Sequence, residues 1–134
     1  KMNGQVDRWG LRETNFVNPT GLDADGAHSS AHDLTILASI LLQNKFFTDT
    51  VAMPRASIQT LSGKRYLATT TNQLLGNGVI YGIKTGFTLQ AGESLLSLAK
   101  RDGHELIGVV LNSPDRFKES QSMLNWAFAN YIWK

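Results

Sequence analysis

VIYGIKTGFTLQAGESLL, residues Val79 to Leu96, decides how the chain is read. Val79 to Thr85 is rich in β-branched and aromatic residues, Ser94 to Lys100 is a short and largely apolar run, and both predict strands. A third run, Glu105 to Leu111, follows Arg101-Asp102-Gly103-His104, whose Asp-Gly centre suits a two-residue hairpin turn. Within the first run, Lys84 and Thr85 interrupt an apolar strand and Gly86 follows at once. Packing gives no reason for a lysine and a hydroxyl there. A lysine on an edge strand can also serve only to block edge pairing, so these residues alone leave two readings open.

Working outward, Ala56 to Leu61 and Lys64 to Leu67 flank Ser62-Gly63 and predict another hairpin. Further upstream, Ser30 is placed to cap a helix with Asp33 three residues on. Leu34, Ile36, Leu37, Ile40 and Leu41 carry that helix to about Asn44, and they cover so much of its circumference that it is expected to be well buried. From Lys1 to about Gly26 the text is rich in Gly, Asn and Asp, which predicts a short opening helix and then loop, with a turn at Asn18-Pro19-Thr20-Gly21. Downstream, Ser113 is placed to cap a last helix with Pro114 at its first position, and Phe117, Leu124, Phe128 and Tyr131 recur on one face. A helical and loop portion over residues 1–52 and a sheet with a terminal helix over residues 53–134 make an α+β fold, a single domain or part of one.

Composition narrows the function classes. The 134 residues are 42% apolar, with a net charge of +2 and basic residues scattered rather than striped, which argues against a nucleic-acid surface. With no cysteine, thiolate metal sites, thiol catalysis and disulfides are excluded. No apolar run is long enough to span a bilayer and no signal peptide opens the chain, so either the protein is cytosolic or its targeting segments lie outside this sequence. His28 and His32 stand four apart, but no Glu follows His28 as a zincin requires, and Asp23-Ala24-Asp25-Gly26 lacks the later ligands of a calcium loop. Both stretches read as loop and cap chemistry. Trp9, Trp126 and Trp133 read as packing residues.

Five motifs in register carry a resemblance. Met2-Asn3, Phe16-Val17-Asn18-Pro19-Thr20-Gly21-Leu22, His28-Ser29-Ser30-Ala31-His32-Asp33-Leu34, Thr71-Asn72-Gln73-Leu74-Leu75 and Gly82-Ile83-Lys84-Thr85-Gly86-Phe87-Thr88 run in the order found in the low-molecular-weight penicillin-binding proteins. These are serine-type D-alanyl-D-alanine carboxypeptidases. Arg116, Glu119-Ser120, Leu124 and Trp126 are similar to the family's last catalytic-domain helix. The family works with a Ser-x-x-Lys motif, a Ser-x-Asn motif and the Lys-Thr-Gly strand, and only the third is matched here. The one Ser-x-x-Lys string, Ser97-Leu98-Ala99-Lys100, falls on a predicted strand, where residues three apart point to opposite faces; on a helix they would share one.

In the family the first two motifs precede a Met-Asn like Met2-Asn3. The resemblance therefore implies the C-terminal part of a catalytic domain of the penicillin-binding-protein fold, inactive alone, that self-associates or folds with an N-terminal half. It implies that Lys84 and the backbone amide of Phe87 serve the chemistry, Phe87 as oxyanion donor, while Thr85, Gly86, Thr88 and Arg116 bind substrate. Arg116 suits a carboxylate or the anchoring of the strand's end, and a solvated surface charge is the plain alternative. The implied substrate is a peptidoglycan stem peptide ending in D-Ala-D-Ala, with β-lactams as inhibitors, no metal and no cofactor, and an extracytoplasmic location. A β-lactamase of the same superfamily and a non-catalytic peptidoglycan-binding module are the other readings.

Overall fold

A computed structural model describes residues 1–133. Four helices and five strands follow in the order α1 (Met2–Arg8), α2 (Ala31–Leu41), α3 (Lys45–Val51), β1 (Arg55–Gln59), β2 (Arg65–Thr69), β3 (Ile80–Thr88), β4 (Gly92–Arg101), β5 (His104–Ser113) and α4 (Arg116–Asn130). β3, β4 and β5 form one antiparallel sheet in sequence order, and β1 pairs with β2 as a separate hairpin. The predicted α+β arrangement is thus the observed one.

The sheet owes its stability to covered faces. β4 lies between two neighbours, and Leu95, Ser97, Leu98 and Ala99 are all buried along it. On one face, Ala38 of α2 packs with Ile83 and Leu98, flanked by Leu42, Phe47, Val51, Leu96 and Ile107. On the other, Leu124 of α4 packs with Ile80 and Ala99, flanked by Leu74, Val79, Leu106 and Phe128. Close approach of α4 depends on Gly108: a Cβ there would stand 2.9 Å from both Met123 Cε and Ser97 Oγ. Asp102 and Gly103 adopt φ of 51° and 80° between β4 and β5. Both values are positive, as a two-residue type I′ hairpin requires.

Several expectations are corrected. Ser30 does cap α2, accepting from Asp33 N, but the helix is amphipathic in fact: only Asp33 and Ala38 are fully buried. Ala38 packs into the sheet core, Leu34, Ile36, Leu37, Ile40 and Leu41 are half-buried, and the exposed side carries His32, Thr35 and Ser39. The cap of α4 is Asp115, which accepts from Lys118 N, whereas Ser113 ends β5 and accepts from Asp115 N. Pro114 therefore precedes the helix; it does not open it. Tyr131 lies just past α4 and is exposed, so the buried stripe of that helix is Ser120 and Leu124. Trp126 is 59% exposed and meets Tyr131 in a T-shaped contact, so it is not a core residue. Trp133 stacks on His104 at 4.9 Å between centroids, which is packing as expected. Helix α3 had no distinct sequence signal; Asn44 starts it by accepting from Phe47 N.

Candidate functional site

The site is built on β3. Ile80 and Ile83 anchor that strand in the core, and Lys84, Gly86 and Phe87 remain exposed between buried positions. In the described sheet β3 has only β4 as a strand neighbour; its other edge meets Leu75 in an isolated bridge at Ile80 and joins no second ladder. The strand runs three residues beyond its predicted end, because Phe87 and Thr88 still pair with Glu93 and Gly92. Its turn to β4 is closed by Thr88 Oγ1, which accepts from Ala91 N at 3.0 Å.

Each polar residue of the strand has a definite partner. Thr85 is buried, and its hydroxyl lies 2.5 Å from that of Thr71. Lys84 is turned along the strand so that its ammonium donates to the Thr85 carbonyl. Arg116 occupies the first position of α4, where its guanidinium donates to the Gly86 carbonyl at 2.8 Å and its backbone N donates to Glu93 Oε2 at 3.3 Å. Of the readings open for Arg116, anchoring of the strand is the one with a contact to support it. Its Nε is buried without a partner, which leaves one donor of the fork unused.

Thr71 and Asn72 carry signals that their side-chain chemistry alone did not reveal. They sit on the connection between β2 and β3, and Asn72 Nδ2 reaches the Gly82 carbonyl at 3.4 Å while its Oδ1 accepts from Leu74 N. Together with the Thr71 hydroxyl they tie that connection to the strand before and at Thr85. A Thr-Asn pair shortly before a strand is visible in the sequence, but its target is not.

Beside the Thr88 end of β3 runs the segment from Asn15 to Ser29. Asn3 of α1 holds it at both backbone groups of one residue, donating to the Phe16 carbonyl at 2.9 Å and accepting from Phe16 N at 2.8 Å. Asn15 pairs with His28 as an isolated bridge and donates from its side chain to the Gly26 carbonyl. Asn18 Oδ1 accepts from Thr20 N, Thr20 Oγ1 and Gly21 N, which closes the predicted turn. Below it, Asp33 Oδ2 accepts from Glu13 N and Thr14 Oγ1, both at 2.7 Å. Burial of Asp33 works to raise its pKa, but the hydrogen bonds from Thr14, Glu13 and His32, with the charge of His32, outweigh it and hold the carboxyl below its ordinary value. The sequence marked Asp33 as a capping-box partner and a member of the His28–Leu34 motif, neither of which points to Glu13 and Thr14. Between the segment and the β3–β4 turn lies a cavity of about 440 Å³.

Ser97 and Lys100 are kept apart. Ser97 is fully buried and donates to the Gly108 carbonyl, while Lys100 is on the opposite, exposed side and pairs with Glu105. The two do not form a nucleophile and its base. His28 and His32 are likewise separate: His28 Nδ1 bonds the Gly26 carbonyl, and His32 Nδ1 faces Asp33 Oδ1 at 3.4 Å.

Comparison with known proteins gives a consistent result. Residues 1–115 match the family described as D-alanyl-D-alanine carboxypeptidase. D-alanyl-D-alanine carboxypeptidase DacF of Bacillus subtilis is 33% identical over 98% of this chain and 35% of its own length. Penicillin-binding protein D2 of Listeria monocytogenes, solved in a cefotaxime-bound form, is 32% identical with a TM-score of 0.79, over 95% of this chain and 53% of its own. The Streptomyces DD-transpeptidase reaches a TM-score of 0.88 at 29% identity, over 96% of this chain and 52% of its own. The chain thus spans about a third of the length of the DacF relative.

Proposed function

Because this chain belongs to the D-alanyl-D-alanine carboxypeptidase family, we propose that it supplies the substrate-binding strand of a serine-type D-Ala-D-Ala carboxypeptidase, an enzyme that trims the last D-alanine from peptidoglycan stem peptides through an acyl-serine. The observation that carries this is the condition of β3: an unpaired edge whose Lys84-Thr85-Gly86 is held in place from both sides, by Thr71 at Thr85 and by Arg116 at Gly86.

An extended peptide can add to such an edge by main-chain hydrogen bonds. Thr85 then offers a hydroxyl to the terminal carboxylate, with Lys84 supplying positive charge beside it. Gly86 has no side chain to hold the peptide off the strand. The backbone N–H of Phe87 donates to the oxyanion as the serine attacks, and a fixed donor of that kind works without reorganisation at the moment of reaction. Thr88 lies next along the edge, its hydroxyl still able to donate. The nucleophile is not Ser97, which is buried against Gly108. The reading therefore needs a Ser-x-x-Lys helix and a Ser-x-Asn segment from outside these 134 residues, and it places the enzyme outside the cytoplasmic membrane, where peptidoglycan is. It also gives β-lactams as covalent inhibitors, in keeping with the cefotaxime-bound Listeria relative. The edge of β5 away from β4 is unpaired among the described strands, which favours association with another segment or copy.

The test is the rate of acylation by a penicillin in the complete protein. Phe87 is 62% exposed, so Phe87→Ala should be mild. Phe87→Pro removes the donor and should slow acylation by about 10²–10³-fold. Circular dichroism and a thermal melt establish that the proline variant folds. Equal rates for two folded variants would remove Phe87 from the site, and no acylation of the wild type would overturn the carboxypeptidase reading itself.

A further inference from the structure

We propose that Thr71 is a positioning residue for substrate binding: its hydroxyl donates to that of Thr85 and so leaves the Thr85 proton for the terminal carboxylate of the peptide. The inference rests on the function proposed above and adds to it a residue from outside the Lys-Thr-Gly strand.

The protons of the two hydroxyls can be counted. Thr71 Oγ1 and Thr85 Oγ1 lie 2.5 Å apart, and either could be the donor. A threonine hydroxyl has one proton to give and two lone pairs to receive with, so two that bond each other keep one free donor between them. Thr85 is buried, and among the described residues Thr71 is the hydrogen-bond partner of its hydroxyl. Thr71 is exposed, which leaves its oxygen open to water. A carboxylate only accepts. Once one binds at Thr85, the single Thr85 proton goes to it, and the bond between the threonines must then run from Thr71 to Thr85. In the chain that results, a hydroxyl that accepts becomes the stronger donor.

The fold holds Thr71 in place for this. It stands two residues past the end of β2, between neighbours that are fastened on either side. Thr70 N donates to the Pro54 carbonyl at 3.0 Å, and Thr70 Oγ1 accepts from Asn72 N at 3.2 Å. Asn72 is buried and reaches the Gly82 carbonyl, three residues before Thr85. A hydroxyl that is already placed adds little ordering cost when the substrate arrives. Lys84 is a separate contribution, since its ammonium donates to the Thr85 carbonyl and not to the hydroxyl.

The experiment uses the complete protein and an N-acetylated tripeptide ending in D-Ala-D-Ala, with the terminal carboxylate either free or converted to the amide. Release of D-alanine or D-alaninamide gives kcat/KM for each. Their ratio is taken within each variant, so a smaller folded fraction cancels. Thr71→Val keeps the shape but not the hydroxyl, and it should lower the preference for the carboxylate about fivefold, the worth of one hydrogen bond. Thr71→Ser should retain the preference of the wild type. Thr85→Val should lower it further, and adding Thr71→Val to that variant should then change nothing, because Thr71 acts only through Thr85. An unchanged ratio in Thr71→Val, a lowered one in Thr71→Ser, or effects that multiply in the double variant would each overturn the role; so would a wild type that uses both peptides equally. Penicillin acylation separates the two ideas. If the wild type is acylated while Thr71→Val leaves the ratio intact, only the positioning role fails; if it is not acylated, the parent reading fails and this one with it.

Discussion

The segment from Glu13 to Ser30 and the sheet of β3, β4 and β5 adjoin each other at the cavity, yet they are held by opposite means. The segment has one isolated backbone bridge, Asn15 with His28, and a backbone turn from Ala27 N to the Ala24 carbonyl, and is fastened chiefly by side chains: Asn3, Asn15, Asn18 and Asp33 each satisfy two or more groups of neighbouring residues. The sheet is held by its own ladder and by apolar cover from α2, α3 and α4. Burial is roughly proportional to area and forgiving of detail, whereas a hydrogen bond depends on the placement of single atoms. The loop motifs that marked the family are therefore chiefly scaffolding. They give the chain a hydrogen-bonded wall beside β3, the strand proposed to bind substrate.

Breaking the sheet should produce the largest effect. Leu124 is 3% exposed and joins α4 to Ile80 and Ala99, so Leu124→Ala should cost about 2–5 kcal/mol. Urea denaturation of the complete protein measures it, and a loss below 1 kcal/mol, on the order of a surface change, would mean that α4 is not the cover of this face.

A smaller loss is expected when the loop is loosened. Asn3→Ala removes three hydrogen bonds at an exposed position and should lower stability by about 1 kcal/mol. Its sharper readout is local: amide exchange at Phe16 should speed up while the amides of β4 stay protected. Uniform acceleration in both regions would erase the distinction drawn between them.

Acid should act through the same loop. The Asp33 carboxyl is held below its ordinary value, so in the unfolded chain it takes up a proton at a higher pH than in the fold. Its contribution is whole above the unfolded pKa and is lost as the pH falls through the folded one. In Asp33→Asn that part of the acid limb should be absent, as urea midpoints measured across the carboxylate range would reveal; an unchanged acid limb would exclude Asp33 as its source.

The β1–β2 hairpin provides the smallest effect. Leu67 is 70% exposed and faces no core, and Leu67→Ser should stay within about 0.5 kcal/mol. A larger loss would show that this hairpin is covered in the complete protein, by another copy or another segment.

The sequence by itself determined the local features. Short apolar runs and an Asp-Gly turn located β3 to β5, Ser30 located the start of α2, and the Lys-Thr-Gly string with four other motifs identified the family, because propensity, capping and turn chemistry are properties of near neighbours along the chain. Boundaries failed where a partner set them: Thr88 is in β3 because Gly92 pairs with it, and α4 starts at Arg116 because Asp115, not Ser113, accepts from Lys118 N. Tertiary structure alone decided which polar groups act together. Thr71 meets Thr85 across 14 residues, Arg116 meets Gly86 across 30, and Asp33 meets Glu13 across 20. Contacts at such separations leave no period or spacing in the sequence, since they arise when covered faces bring distant segments together. Ser97 and Lys100 are the converse case: the predicted strand already set them on opposite faces, and the pleat of β4 does send one into the core and the other to the surface.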